Sequence, residues 1–239
     1  YNSKLTERDT EYGTISEDYI NVDTYPIVVF KTDKTFVAGF TTYKAAQDAT
    51  IGKSEDYIIL FRRDYANSDT KMIGAFYNNV TIDLGGHTVE TRHHFLALYG
   101  TGTPSNTKFG TINVKNGTIT VKDSLNNTIA PVRLDGNWST QVTYTVNLEN
   151  IRFTVDSSST SSFGAVGAAN ANGTANILNV TLTNCIFDFA NSKSGTVMIN
   201  VSTNRIVNAT VYGGQILAGA NNSFNFITKD ASDTLVFVK

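Results

Sequence analysis

A five-fold internal repeat constrains this chain more than any other feature. Residues 80–89 (VTIDLGGHTV) set a pattern that returns at 111–119 (TINVKNGTI), 145–153 (TVNLENIRF), 179–187 (NVTLTNCIF) and 208–216 (NATVYGGQI). Aligned on that pattern, Ile82, Ile112, Val146, Val180 and Ala209 share one position, at spacings of 30, 34, 34 and 29 residues. Self-similarity at this period marks an architecture of stacked supersecondary units, each burying its apolar side against its neighbours.

Each unit alternates apolar and polar residues, as a half-buried strand does. Its fifth position holds only Gly or Asn: Gly86, Asn116, Asn150, Asn184 and Gly213. These two residue types enter the left-handed region at least cost, so the position reads as a structural hinge that bends the chain between two short strands. After the hinge, Val89, Ile119, Phe153, Phe187 and Ile216 return to the core. A third strand is expected upstream of each unit, within 94–99, 129–134, 163–168, 196–201 and 223–227.

Two short strands hinged at Asn or Gly, repeated with variable excursions, resemble the right-handed parallel β-helix of the pectate-lyase-like superfamily. The phrase VTIDLGGHTV is similar to the opening coil of many such proteins, and the resemblance covers about residues 51–239. It implies an all-β solenoid with three strands per coil. It implies less about activity, because that superfamily includes lyases, hydrolases, adhesins and phage tailspikes.

Upstream of the repeats, residues 1–24 read as an extended polar lead-in. Residues 25–50 read as a capping hairpin (25–31 and 35–40) and a short amphipathic helix (41–49) begun by a Thr cap, with Tyr43 and Ala46 on one face beside Ala45 or Ala49. Such a plug covers the open apolar end of the first coil. Arg62, Arg63 and Asp64 read as a solvated turn at its rim. The C-terminal stretch has no matching cap, so the helix is expected to continue beyond 239 or to be closed by another chain.

The chemistry legible in the sequence is sparse. If Leu96, Val132, Val166, Ile199 and Phe226 point inward, the outward row of the third-strand sheet is Ala97, Arg133, Gly167, Asn200 and Ile227. Enzymes of the resembled superfamily use clustered aspartates with basic residues, or a Gly-His-Gly with an Arg-x-Lys, and the chain has none of these patterns. The only candidates for acid–base work are Asp135 and Arg133, which read first as an ion pair, because sugar chemistry wants two opposed carboxylates. Trp138, Tyr99 and Asn200 are the candidate ligand-binding residues, Trp138 being read as an exposed ring beside Asp135 with loop packing as the other reading. The outward series Asp83, Asn113, Asn147, Thr181 and Thr210 reads as a hydrogen-bonded ladder. His87, His93 and His94 lack companion ligands, so no metal and no cofactor is expected. Cys185, the one cysteine, has inward parity and reads as a buried filler.

With charged residues at 17 % and a net charge of −2, the chain has no basic patch suited to nucleic acid. No apolar run reaches membrane-spanning length. The expectation is a non-catalytic extracellular segment of a larger surface or secreted protein, an adhesin or stalk whose partner is a polysaccharide or cell-surface glycan. Two alternatives stand beside it: a trimeric phage tailspike or tail-fibre segment, for which outward Ile186, Met198 and Ile227 would mark contacts, and a polysaccharide lyase or hydrolase.

Overall fold

The computed structural model describes residues 8–69, 71–92, 94–122, 128–156, 162–168, 174, 176–188, 196–201, 205–217, 224–225 and 234–238. Among the described residues the chain is all-β apart from one α-helix and one 3-10 turn. Its elements follow the repeats. The lead-in holds β1 (Asp9–Thr10) and β2 (Gly13–Thr14), and the cap holds β3 (Ile27–Lys31), β4 (Phe36–Phe40) and α1 (Tyr43–Thr50). Then come β5 (Tyr57–Phe61), β6 (Tyr65–Asn67) and β7 (Met72–Ile73), followed by β8 (Val80–Asp83), β9 (Thr88–Thr91), β10 (Leu96–Leu98) and β11 (Thr101–Gly102). The next two repeats give β12 (Lys108–Val121), β13 (Thr128–Ile129), β14 (Val132–Leu134) and β15 (Asn137–Trp138), then β16 (Thr143–Val155) and β17 (Ser162–Ala168). The last give β18 (Asn176–Thr183), β19 (Ile186–Asp188) and β20 (Thr196–Val201), then β21 (Arg205–Tyr212), β22 (Gln215–Leu217) and β23 (Phe224–Asn225), with β24 (Thr234–Val238) after them.

Equivalent strands of successive repeats pair in parallel. One sheet runs β23-β20-β17-β14-β10-β7, and a second, larger sheet runs β24-β21-β18-β16-β12-β8-β5-β3-β4. The second sheet is mixed, because β3 is antiparallel to both β4 and β5. Val80, Ile112, Val146, Val180 and Ala209 lie opposite one another across its parallel part, each 2 % exposed or less. Beyond the bend, Val89, Ile119, Phe153 and Phe187 form another buried row, with the last two rings stacked at 5.6 Å. Each such aliphatic or aromatic side chain contributes about 1.5–3 kcal/mol by leaving water, which makes these rows the main favourable term for the fold.

The bends sit where Gly and Asn recur. Gly86, Asn116, Asn150, Asn184 and Gly213 have φ of 80°, 59°, 52°, 50° and 62°. The first repeat nevertheless departs from the expected alignment. Ile112 lies opposite Val80 and not Ile82, and Lys115 lies opposite Asp83. Pairing resumes at Thr118 opposite Thr88, so four residues (84–87) turn the first corner where two (116–117) turn the next. Gly85 (φ 59°) and Gly86 share that wider corner. An insertion of two keeps every side chain on its face, so alternation alone cannot reveal it. In the other sheet, Leu96–Val132–Val166–Ile199 and Ala97–Arg133–Gly167–Asn200 pair as the row assignment required. At β23 the register differs by one residue: Thr196 lies opposite Phe224. Ile227 falls outside the described residues, as does the side chain of Met198.

At the N-terminal end, α1 begins at Thr42, whose hydroxyl accepts from the Ala45 N–H at 3.2 Å. Its buried face is Tyr43, Ala46, Gln47 and Thr50; Ala45 and Ala49 stay half-buried at its margin. Tyr43 stacks on Phe95 at 4.8 Å and tilts against Phe61 at 5.3 Å, joining the helix to the inner rows. The lead-in is folded over the opposite face of the hairpin, where Ile15 joins Val28 and Phe30 in a second small core flanked by Tyr12 and Tyr19. Arg62, expected in a solvated turn, instead donates to the carbonyls of Ile20 at 2.6 Å and Tyr19 at 2.9 Å. It fastens the lead-in to the first repeat, and its burial lowers the guanidinium pKa. Arg63 pairs with Asp23 at 2.8 Å, and Asp64 accepts from the Thr88 N–H at 2.8 Å.

Cys185 is 1 % exposed, and burial pushes its thiol up to about 11 from the ordinary 9.0. The folded thiol holds its proton over a range where the unfolded one has lost it. Its contribution to stability is therefore complete below pH 9.0 and lost as pH rises to about 11. Urea unfolding across that window should show the wild type losing roughly 2 kcal/mol relative to Cys185→Ala; parallel pH curves for the two proteins would refute this.

Candidate functional site

Four members of the expected outward row, Ala97, Arg133, Gly167 and Asn200, lie in register on the seven-stranded sheet, but Gly167 is buried and the charge of Arg133 is already spoken for. Arg133 Nε and Asp135 Oδ2 are 2.9 Å apart, each side chain about one-fifth exposed. One carboxylate held by its own neighbour is an ion pair of the structural kind. Ala97, beside Arg133 in the row, is buried. Tyr99 is half-buried just after β10, whose last residue, Leu98, accepts from the Asp135 N–H through its carbonyl. Asn200 lies opposite Gly167 by its backbone; its side chain is outside the described residues.

Trp138 corrects the sequence reading. It is 6 % exposed, its indole N–H donates to Tyr144 Oη at 3.1 Å, and its ring lies 5.6 Å from that of Phe109. Gly100 provides the space: a Cβ there would meet the indole at 2.0 Å. With both faces packed, the ring offers no sugar-stacking platform. The signal for this was the aromatic series Phe76, Phe109 and Tyr144, which shares one cluster with Trp138 although the residues are far apart in sequence.

Of the expected polar ladder, Asn113, Asn147, Thr181 and Thr210 lie in register, and Asn147 donates to Asn113 at 2.9 Å. A second amide bond, Asn208 to Asn179 at 2.8 Å, belongs to the row two residues upstream. Thr81, not Asp83, is opposite Asn113. Asp83 is 4 % exposed and sits under the lead-in. It accepts from the Tyr12 hydroxyl and the Gly85 N–H, and lies 3.7 Å from Lys115 Nζ. Burial, then the hydrogen bond to Asp83, raises the Tyr12 phenol far above its ordinary value, so it remains a donor. Of the histidines, His94 Nδ1 is 2.8 Å from the Ala130 carbonyl and His87 Nδ1 is 3.7 Å from Asp64. His93 is outside the described residues, and among the described residues no group of three His, Cys, Asp or Glu is placed to hold a metal.

Two concavities open on the sheet face that follows the bends. The first, about 400 Å³, runs along the hinge column and is lined by Asn116, Asn150, Asn184, Ile151, Ile186 and Arg152 among others. Asn150 donates to Asn116 Oδ1 at 3.3 Å, and Asn116 donates onward to the Asp83 carboxylate at 3.4 Å, so the amide column is tied down at its first member. Arg152 is paired with Asp188. The second, about 300 Å³, is lined by Ala66, Asn67, Ser68, Glu90, Arg92 and Lys122, with Lys122 and Glu90 2.8 Å apart. Sequence reasoning placed the hinge residues but treated them as structural only. No family model, curated protein or solved structure matches the chain. Among the described residues, no helix is long and apolar enough to cross a membrane.

Proposed function

We propose that this chain is a right-handed parallel β-helix segment of a secreted or surface-displayed protein, of the pectate-lyase-like type, serving as a non-catalytic stalk or adhesin that binds glycan. The observation that carries the reading is the in-register parallel pairing of β12, β16, β18 and β21, whose bends share one positive-φ column. Such a stack makes an elongated, rigid body with a repeating polar surface. Among its polar residues the uncharged Thr, Asn and Ser outnumber the charged ones, which are 17 % of the chain, and this suits contact with hydroxyl-rich polymers. The Arg133–Asp135 pair argues against acid–base use of the seven-stranded sheet, because the carboxylate is already held.

The test is incubation with a panel of neutral and uronic-acid polymers, read for binding, reducing ends and unsaturated products. Binding without turnover is expected. Turnover that disappears in Asp135→Ala would overturn the non-catalytic reading and assign a lyase or hydrolase. Mass in solution separates the stalk from a tail-fibre segment, for which a trimer is the expected form.

A further inference from the structure

We propose that the groove along the hinge column is a binding site for a neutral, linear oligosaccharide lying along the stack of repeats. The inference rests on the glycan-binding reading above and moves the site away from the seven-stranded sheet. The groove, at about 400 Å³, is of the size that ligand sites occupy. Its rim carries the exposed amides of Asn150 and Asn184, and its floor is the buried Ile151 and half-buried Ile186. Asn150 lies in β16 and Asn184 in the bend between β18 and β19, both of which pair with β16, so the amides recur at about the 4.8 Å strand spacing. Positive φ fixes the backbone at both residues, and the bond to Asn116 orients the Asn150 amide before any ligand arrives.

The lining selects the ligand class. Among the described residues that line it, Arg152 is the one cation and is balanced by Asp188, so an acidic polymer finds no net charge there to pair with. An extended peptide binds through a free strand edge, and β16 is paired on both sides, to β12 and to β18. A purely apolar ligand would strip water from the amides and leave them unmatched. A neutral sugar satisfies both parts: its hydroxyls donate and accept as an amide does, and its C–H face covers the isoleucines.

The test uses the full chain with cello-, manno-, xylo- and malto-hexaose, and with galacturonate and alginate oligomers as acidic counterparts, by titration calorimetry. The variant Asn150→Gly/Asn184→Gly removes both amides while keeping a residue that suits positive φ, as Gly86 and Gly213 do in the same column. Binding of at least one neutral hexasaccharide, little changed up to about 0.5 M salt and weakened about tenfold or more in that variant, is the expected result. Ile186→Glu, which places a charge on the floor, should block binding by itself and serves if the double variant misfolds. Binding that survives both changes but fails in Tyr99→Ala or Arg133→Ala would overturn the groove and leave the glycan-binding reading standing. A salt-sensitive preference for the acidic oligomers would overturn the neutral assignment. No binding across the panel would overturn both.

Discussion

Asn78→Ala is expected to lower stability by about 3–5 kcal/mol, because one side chain there satisfies three backbone groups at once. Asn78 is 5 % exposed. Its amide donates to the carbonyls of Thr50 at 2.8 Å and Glu55 at 2.7 Å, and its Oδ1 accepts from the Gly52 N–H at 3.0 Å. These bonds tie the segment leaving α1 to the chain entering β8, so they join the cap to the stacked repeats. Gly110 packs so closely over this point that a Cβ would lie 1.9 Å from the Asn78 carbonyl oxygen, which leaves no room for a rearranged backbone. In a chain of this length the loss corresponds to a melting temperature lower by roughly 10 °C, read by circular dichroism. Asn78→Asp should be worse than Ala at neutral pH, since a carboxylate would face two carbonyl oxygens, and should partly recover in acid when protonation restores a donor. A wild-type melt for Asn78→Ala would show that the cap is held elsewhere.

Local and distant determinants explain what the sequence disclosed and what it hid. The hinge column was legible because positive φ restricts residue type locally: Asn116, Asn150 and Asn184 announce themselves without knowledge of any partner. The paired rows followed, since inward parity propagates from one fixed point. Asp83 was misplaced because its burial depends on Tyr12, 71 residues away, and because the two extra residues of the first corner leave parity untouched. Arg62 was misread for the same reason, its acceptors being carbonyls 42 and 43 residues upstream. A carbonyl acceptor has no residue identity, so no motif could have signalled it. The groove escaped notice because residues read as a bend are also a surface once they stack.

Trp138→Ala should be the most damaging single truncation in the repeats, costing about 3–5 kcal/mol through the cavity it leaves. The ring fills the space between Gly100, Phe109 and Tyr144, and its loss also strips the Tyr144 hydroxyl of a donor in a fully buried site, where burial has pushed that phenol up to about 12. A lost sugar platform would instead leave the melting temperature unchanged and weaken ligand binding alone, so a thermal melt separates packing from recognition. Gly100 sharpens the test. Gly100→Ala in the otherwise native protein drives a Cβ into the indole at 2.0 Å and should destabilise by about 1–3 kcal/mol. In the Trp138→Ala background the same methyl enters a void and should cost little or restore some stability, so the two changes must be strongly non-additive. Additive losses would mean that Gly100 is required by its backbone and not by the ring above it, and that the indole is held by its other neighbours.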